Sequence, residues 1–165
     1  MRIGIVGLGV ILAQYQQTLT DAGVADRVVA VADLDRARAE AVATTFPQAR
    51  ATSVEDLLSA PDVDVVLNLT TPAAHADVAL GAIEHGKHVY GEKPLAATFD
   101  DARAMVQAAA EAGVRLGAAP DTVLGTGVQT ARAAVDTGLL GRPLAASATM
   151  VTPGHERWHP NPDFY

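Results

Sequence analysis

Apolar, β-branched runs at residues 3–6, 28–32, 63–69, 88–90 and 114–118 alternate with Ala-rich stretches whose apolar positions repeat at helical spacing, 11–22, 35–45, 74–85 and 99–112. A weaker strand is expected at 50–52 and a short helical turn at 54–59. The strong runs are apolar at nearly every position instead of at every second one, which is the pattern of strands buried on both faces. Strands of that kind, each followed by a helix, predict an α/β fold with a doubly wound parallel sheet.

Punctuation agrees with these limits. Thr98 or Asp100 is placed to cap the helix at 99–112, and Gly23, Gly86 and Gly113 stand where helices should stop. After Pro120 the rhythm changes to one helix at 122–137, ending at Gly138, then a strand-like run at 143–151 and the irregular tail TPGHERWHPNPDFY. One helix and one strand cannot bury their own apolar faces. The expected organisation is therefore a first domain over residues 1–120 and the start of an incomplete α/β substrate domain over 121–165.

The chemistry-bearing residues fall at the carboxyl ends of the expected strands, where open α/β sheets bind ligands. Gly7-Leu8-Gly9-Val10-Ile11 joins the first strand to the first helix. Gly7 permits the tight turn and Gly9 lets the backbone approach a pyrophosphate at the helix N-terminus, a Rossmann-type dinucleotide loop. Asp33 ends the second strand, placed to accept hydrogen bonds from ribose hydroxyls. Its charge opposes a 2′-phosphate and so favours NAD over NADP, a preference softened by Arg36 and Arg38. Leu12 occupies the third fingerprint position, where a small residue usually stands, and Ala13 follows. Thr70, Thr71 and Pro72 are expected to line the crevice, with His75 in the next helix's first turn. In Gly91-Glu92-Lys93-Pro94 the proline forces Lys93 into an extended conformation and allows a cis bond. An ammonium at that place can hydrogen-bond a substrate hydroxyl and stabilise the alkoxide that forms as hydride leaves. As a residue type, the same pair also fits a solvated Glu–Lys turn.

Composition narrows the classes. The 165 residues carry 12 Lys+Arg against 19 Asp+Glu, a net charge of −7, with no basic cluster to follow a nucleic-acid backbone. No apolar run reaches the roughly 20 residues of a membrane span, and the opening MRIGIVGLG has no signal-peptide layout, so a cytoplasmic location is expected. Cysteine is absent, which excludes disulfides and thiolate chemistry. Lys87 and Lys93 are the only lysines, so each attracts attention. His155, Glu156 and His159 lie in an irregular stretch that is a poor metal template, and no metal is expected. Trp158 offers a flat apolar face for a sugar ring.

From MRIGIVGLG through GKHVYGEKPLA the chain resembles the glucose-fructose oxidoreductase and inositol dehydrogenase (Gfo/Idh/MocA) family, with Glu92-Lys93-Pro94 after a GKHV strand as its most specific element. The resemblance implies a Rossmann domain, an NAD(P) cofactor, and a second α/β domain that holds substrate and often mediates homo-oligomerisation. It implies hydride transfer to or from a secondary alcohol of a sugar, cyclitol or related polyol. By position it makes Gly7, Gly9, Asp33, Thr71, Pro72, His75, Glu92 and Lys93 cofactor contacts, with Lys93 the catalytic lysine. The run from Ala119 to Gly125 departs from the common pattern and resembles a subgroup with a Trp-His-Pro element, which makes Asp121, Trp158 and His159 candidate substrate residues. An Asp and a His on which family catalysis relies are expected beyond Tyr165. Two other classes stay open on the residues alone: a non-catalytic dinucleotide-binding module, and an S-adenosylmethionine-binding Rossmann protein, which fits Gly7-Leu8-Gly9 and leaves Glu92-Lys93-Pro94 unexplained.

Overall fold

The computed structural model describes residues 1–120 and 122–151. The chain divides into two compact units, Met1–Asp121 and Thr122–Tyr165. In the first, six strands form one parallel sheet in the order β3-β2-β1-β4-β5-β6. The strands are β1 (Ile3–Val6), β2 (Val28–Ala32), β3 (Arg50–Ala51), β4 (Val65–Asn68), β5 (His88–Gly91) and β6 (Leu116–Ala118). The helices between them are α1 (Leu12–Asp21), α2 (Arg36–Ala43), α3 (Val54–Ser59), α4 (His75–Glu84) and α5 (Phe99–Ala112). The order reverses between β1 and β4, the switch point at which such sheets open a crevice.

Two apolar clusters, one on each side of the sheet, explain the continuous hydrophobic runs. On one side Ile3, Ile5, Val28 and Val31 pack with Leu8, Leu12, Ala39 and Phe46, under α1 and α2. On the other, Val6, Ala30, Ala32, Val66 and Val89 pack with residues of α3, α4 and α5, including Leu57, Ala79, Ile83 and Met105. Leu12, the departure from the glycine fingerprint, opens α1 and is buried in the first cluster. Side-chain caps start three helices: Asp35 accepts from the Arg38 amide, Ser53 from the Asp56 amide and Thr98 from the Asp101 amide. Asp100 instead pairs with Arg103 in the first turn of α5.

Several limits move. The helix expected from residue 74 begins at His75, after a 3-10 turn over Pro72–Ala74. The helix expected at 122–137 resolves into a 3-10 turn, Thr122–Leu124, and α6 (Thr126–Asp136) beyond Gly125. The strand expected at 143–151 is absent, and those residues carry neither helix nor strand. A strand needs a neighbour to satisfy its backbone groups, and among the described residues of the second unit no other strand exists. Leu139, Leu140 and Leu144 are correspondingly exposed.

Candidate functional site

Strand register aligns the candidate residues. Ala32, Val6, Asn68 and Gly91 are successive partners across the sheet. The backbone ladder continues one step beyond them: the Gly7 amide donates to Ala32, the Leu69 amide to Val6 and the Glu92 amide to Asn68, at 2.8–3.0 Å. Asp33, Gly7, Leu69 and Glu92 therefore stand in a row along the carboxyl edge of four strands, and each loop leaves the sheet from the same level.

At the switch point Gly7 has φ of +88°, and a Cβ there would lie 2.6 Å from the Thr70 nitrogen and 2.7 Å from the Leu69 carbonyl carbon. The β1 and β4 loops thus touch backbone to backbone. Leu8 turns its side chain into the core, and its amide donates to Asp33 Oδ2 at 2.8 Å. At Gly9 an added Cβ would meet nothing within 4 Å. That open cradle ahead of α1 fits a pyrophosphate, which is bulky, anionic and matched to a helix N-terminus. Val10 and Ile11 form the exposed turn into the helix.

Asp33 is 10 % exposed at its side chain. Its Oδ1 accepts from the Asp35 amide at 2.9 Å, so one carboxylate fixes both its own loop and the glycine loop. Arg38 stands 3.5 Å from Asp33 and 3.5 Å from Asp35, a cation beside both carboxylates.

Across the crevice the Gly91-Glu92-Lys93-Pro94 turn is tied on both sides of its lysine. Glu92 Oε2 accepts from the Lys93 amide at 3.0 Å, and Oε1 accepts from the Tyr15 hydroxyl of α1 at 2.8 Å. The Lys93–Pro94 peptide is cis. The imidazole of His75 faces the Pro94 carbonyl through Nδ1 at 2.7 Å and the Thr70 carbonyl through Nε2 at 3.0 Å. Asn68 Nδ2 donates to the His75 carbonyl at 2.9 Å, and Asn68 Oδ1 accepts from the Thr70 hydroxyl at 2.6 Å. Lys93 itself is exposed, and its ammonium has no hydrogen bond or ion pair among the described residues.

The fold thus joins Gly7 to Thr70, Leu8 to Asp33, and His75 to both Thr70 and Pro94. Thr71 and Pro72 sit at the start of the turn into α4. Asp121, Trp158 and His159 lie outside the described residues, as do His155 and Glu156. Among the described residues no cluster of three His, Asp or Glu side chains is arranged for a metal ion. Sequence reasoning passed over Tyr15 and Asn68. Asn68 carries a usable signal, a polar residue closing the apolar run Val65-Val66-Leu67; Tyr15, among glutamines about one turn into a helix, carries none.

Residues 1–119 match the model of an oxidoreductase family with an NAD-binding Rossmann fold. The chain is 46% identical over 110 residues to a 1,5-anhydro-D-fructose reductase of Ensifer adhaerens, covering 65% of this chain and 33% of that protein. It is 34% identical over 159 residues to inositol 2-dehydrogenase 3 of Saccharopolyspora erythraea, covering 93% of this chain and 46% of that protein. The crystal structure of myo-inositol dehydrogenase from Lactobacillus casei, in complex with NAD(H) and myo-inositol, superposes with a TM-score of 0.79 at 29% identity over 87% of this chain and 43% of that one. The chain thus spans less than half the length of these relatives.

Proposed function

The chain belongs to the Gfo/Idh/MocA family of oxidoreductases with an NAD-binding Rossmann fold, and on that premise we propose that the full-length protein is an NAD-dependent dehydrogenase of a sugar, cyclitol or related polyol. NAD, when bound, supplies the hydride acceptor. The residues in this chain do the rest of what the first domain contributes. Gly9 leaves the space a pyrophosphate needs at the head of α1, and Asp33 would present its carboxylate to the ribose hydroxyls. That carboxylate favours NAD over NADP, because a 2′-phosphate would bring like charge against it. Arg38 tempers the preference without cancelling it, since its guanidinium is already shared between Asp33 and Asp35.

Lys93 carries the catalytic part of the reading. It is a cation with no protein partner among the described residues, on a turn at the carboxyl end of β5 whose backbone is held from both sides. A donor so placed stabilises charge developing on a substrate oxygen without first breaking bonds of its own. The polyol class rests on the relatives' named substrates, anhydrofructose and inositol. The second unit, Thr122–Tyr165, is assigned to the start of the substrate domain.

The test uses the full-length protein with a panel of polyols and both nicotinamide cofactors. Lys93→Ala should reduce kcat by about 100-fold or more while NADH affinity changes less than about threefold. An unaltered rate removes Lys93 from the chemistry. NADH binding without turnover of any polyol by the wild-type protein would leave the dinucleotide-binding module as the function.

A further inference from the structure

His75 and Asn68 are each 1 % exposed, the two most buried polar side chains described. Burying such groups is costly unless their polar atoms are matched, and each has a polar atom within hydrogen-bond distance. The bonds close a ring. Asn68 Nδ2 reaches the His75 carbonyl, His75 Nε2 reaches the Thr70 carbonyl, and the Thr70 hydroxyl returns to Asn68 Oδ1. The ring holds the start of α4 to the end of β4, and all three residues lie within eight positions of one another. One contact leaves it: His75 Nδ1 lies 2.7 Å from the carbonyl of Pro94, 19 residues on, and the single N–H of a neutral imidazole donates to one of the two carbonyls at a time. Neither ring nitrogen is left for a cofactor, because both face backbone carbonyls.

We propose that His75 is a positioning residue for Lys93, fastening the Lys93-Pro94 turn to the Thr70–Pro72 loop across the crevice rather than touching the cofactor. An apolar side chain in its place would fill the volume and leave the two loops free to shift against each other. Polar contacts that fix one arrangement act on geometry, and a misplacement of about 1 Å costs about 100-fold in rate. Glu92 anchors the same turn from the other side through Tyr15 and the Lys93 amide. The lysine stands between the two anchors. This inference rests on the catalytic reading of Lys93, but its structural half does not.

The experiment compares the full-length wild type with His75→Ala, His75→Gln and, as a control away from the site, His85→Ala. Amide exchange is followed without cofactor over residues 70–74 and 92–97. In His75→Ala both segments should exchange about tenfold faster while the strands do not change, and His75→Gln, which keeps a donor, should fall between. In steady state His75→Ala should lose about 10- to 100-fold in kcat with NADH affinity nearly unchanged. Loop exchange equal to wild type overturns the proposal, as does a fall in NADH affinity that accounts for the whole loss of kcat/KM. Should His75→Ala fail to fold, His75→Gln carries the comparison, checked by its melting temperature. Wild-type protein that turns over no polyol would remove the proposed function and leave the exchange comparison to decide whether His75 ties the loops.

Discussion

Gly7 and Gly9 stand two residues apart in one turn, and they are glycines for different reasons. Gly7 has φ of +88° and backbone within 2.6 Å of where a Cβ would go, so its requirement is internal. Gly9 faces open space, so any requirement for glycine there comes from a ligand. Gly7→Ala should therefore cost about 2 kcal/mol or more in denaturant unfolding. Gly9→Ala should leave unfolding unchanged and weaken NADH binding, read by fluorescence titration. Equal effects of the two substitutions on stability would refute the distinction. Asp33→Asn removes the charge while keeping one of the two acceptor oxygens that the Leu8 and Asp35 amides use, so the NADPH to NADH affinity ratio should rise by about tenfold. An unchanged ratio would assign the preference elsewhere. The spacing of these residues was readable from the sequence, because a βα turn fixes which positions meet a ligand. What lies across the turn was not: the Thr70 backbone that makes Gly7 obligatory is 63 positions away.

Strand β5 shows how position in an element separates two residues that composition cannot. The chain's two lysines flank it, and their scarcity pointed equally to both. Lys87, just before the strand, is 4 % exposed, and its ammonium donates to the Ala60 carbonyl at 2.6 Å and the Val63 carbonyl at 2.9 Å. It stitches the loop after α3 to the amino edge of the sheet, and burial holds its pKa below the usual lysine value. Lys93, just past the other end, is exposed, and its ammonium has no partner among the described residues. Lys87→Met keeps the stem and removes the donors; it should lower stability by about 1–3 kcal/mol and leave NADH affinity at the wild-type level. A loss of NADH binding in a still-folded variant would contradict the structural role. The element order was legible because helical and strand periods differ and the strands are apolar on both faces. The run at 143–151 has the right composition for a strand, yet composition supplies no partner, and with no other strand among the described residues of the second unit the segment is irregular. The ring of Asn68, Thr70 and His75 was equally out of reach, since its link to Pro94 depends on two loops meeting above adjacent strands.

At the scale of the whole molecule the two edges of the sheet have separate tasks. The carboxyl edge holds the crevice, while the amino edge is closed by ion pairs. There the Arg2 amide donates to Asp64 Oδ2 at 2.7 Å and its guanidinium to Oδ1 at 3.0 Å, joining the chain's start to the segment that enters β4. Arg50 pairs with Asp62 at 2.6 Å nearby. The Arg2 hydrogen bonds lower the Asp64 pKa from 3.8 to about 2, and Arg50 lowers that of Asp62. A carboxyl whose folded pKa lies below its unfolded value binds fewer protons when folded, so its contribution is present above the unfolded value and disappears as pH falls through the folded one. For Asp64 that window runs from about pH 4 down to about pH 2. Asp64→Asn should thus be less stable than wild type near neutrality, and the gap should close across that window in urea unfolding followed as a function of pH. Because the pair is exposed, added salt should narrow the gap at neutral pH as well. Parallel stability curves for the two proteins down to about pH 2 would show that Asp64 contributes through packing alone. The crevice lies at the opposite edge, so NADH affinity at neutral pH should be the same in both proteins; a weaker affinity in Asp64→Asn would mean that the two edges are coupled through the sheet.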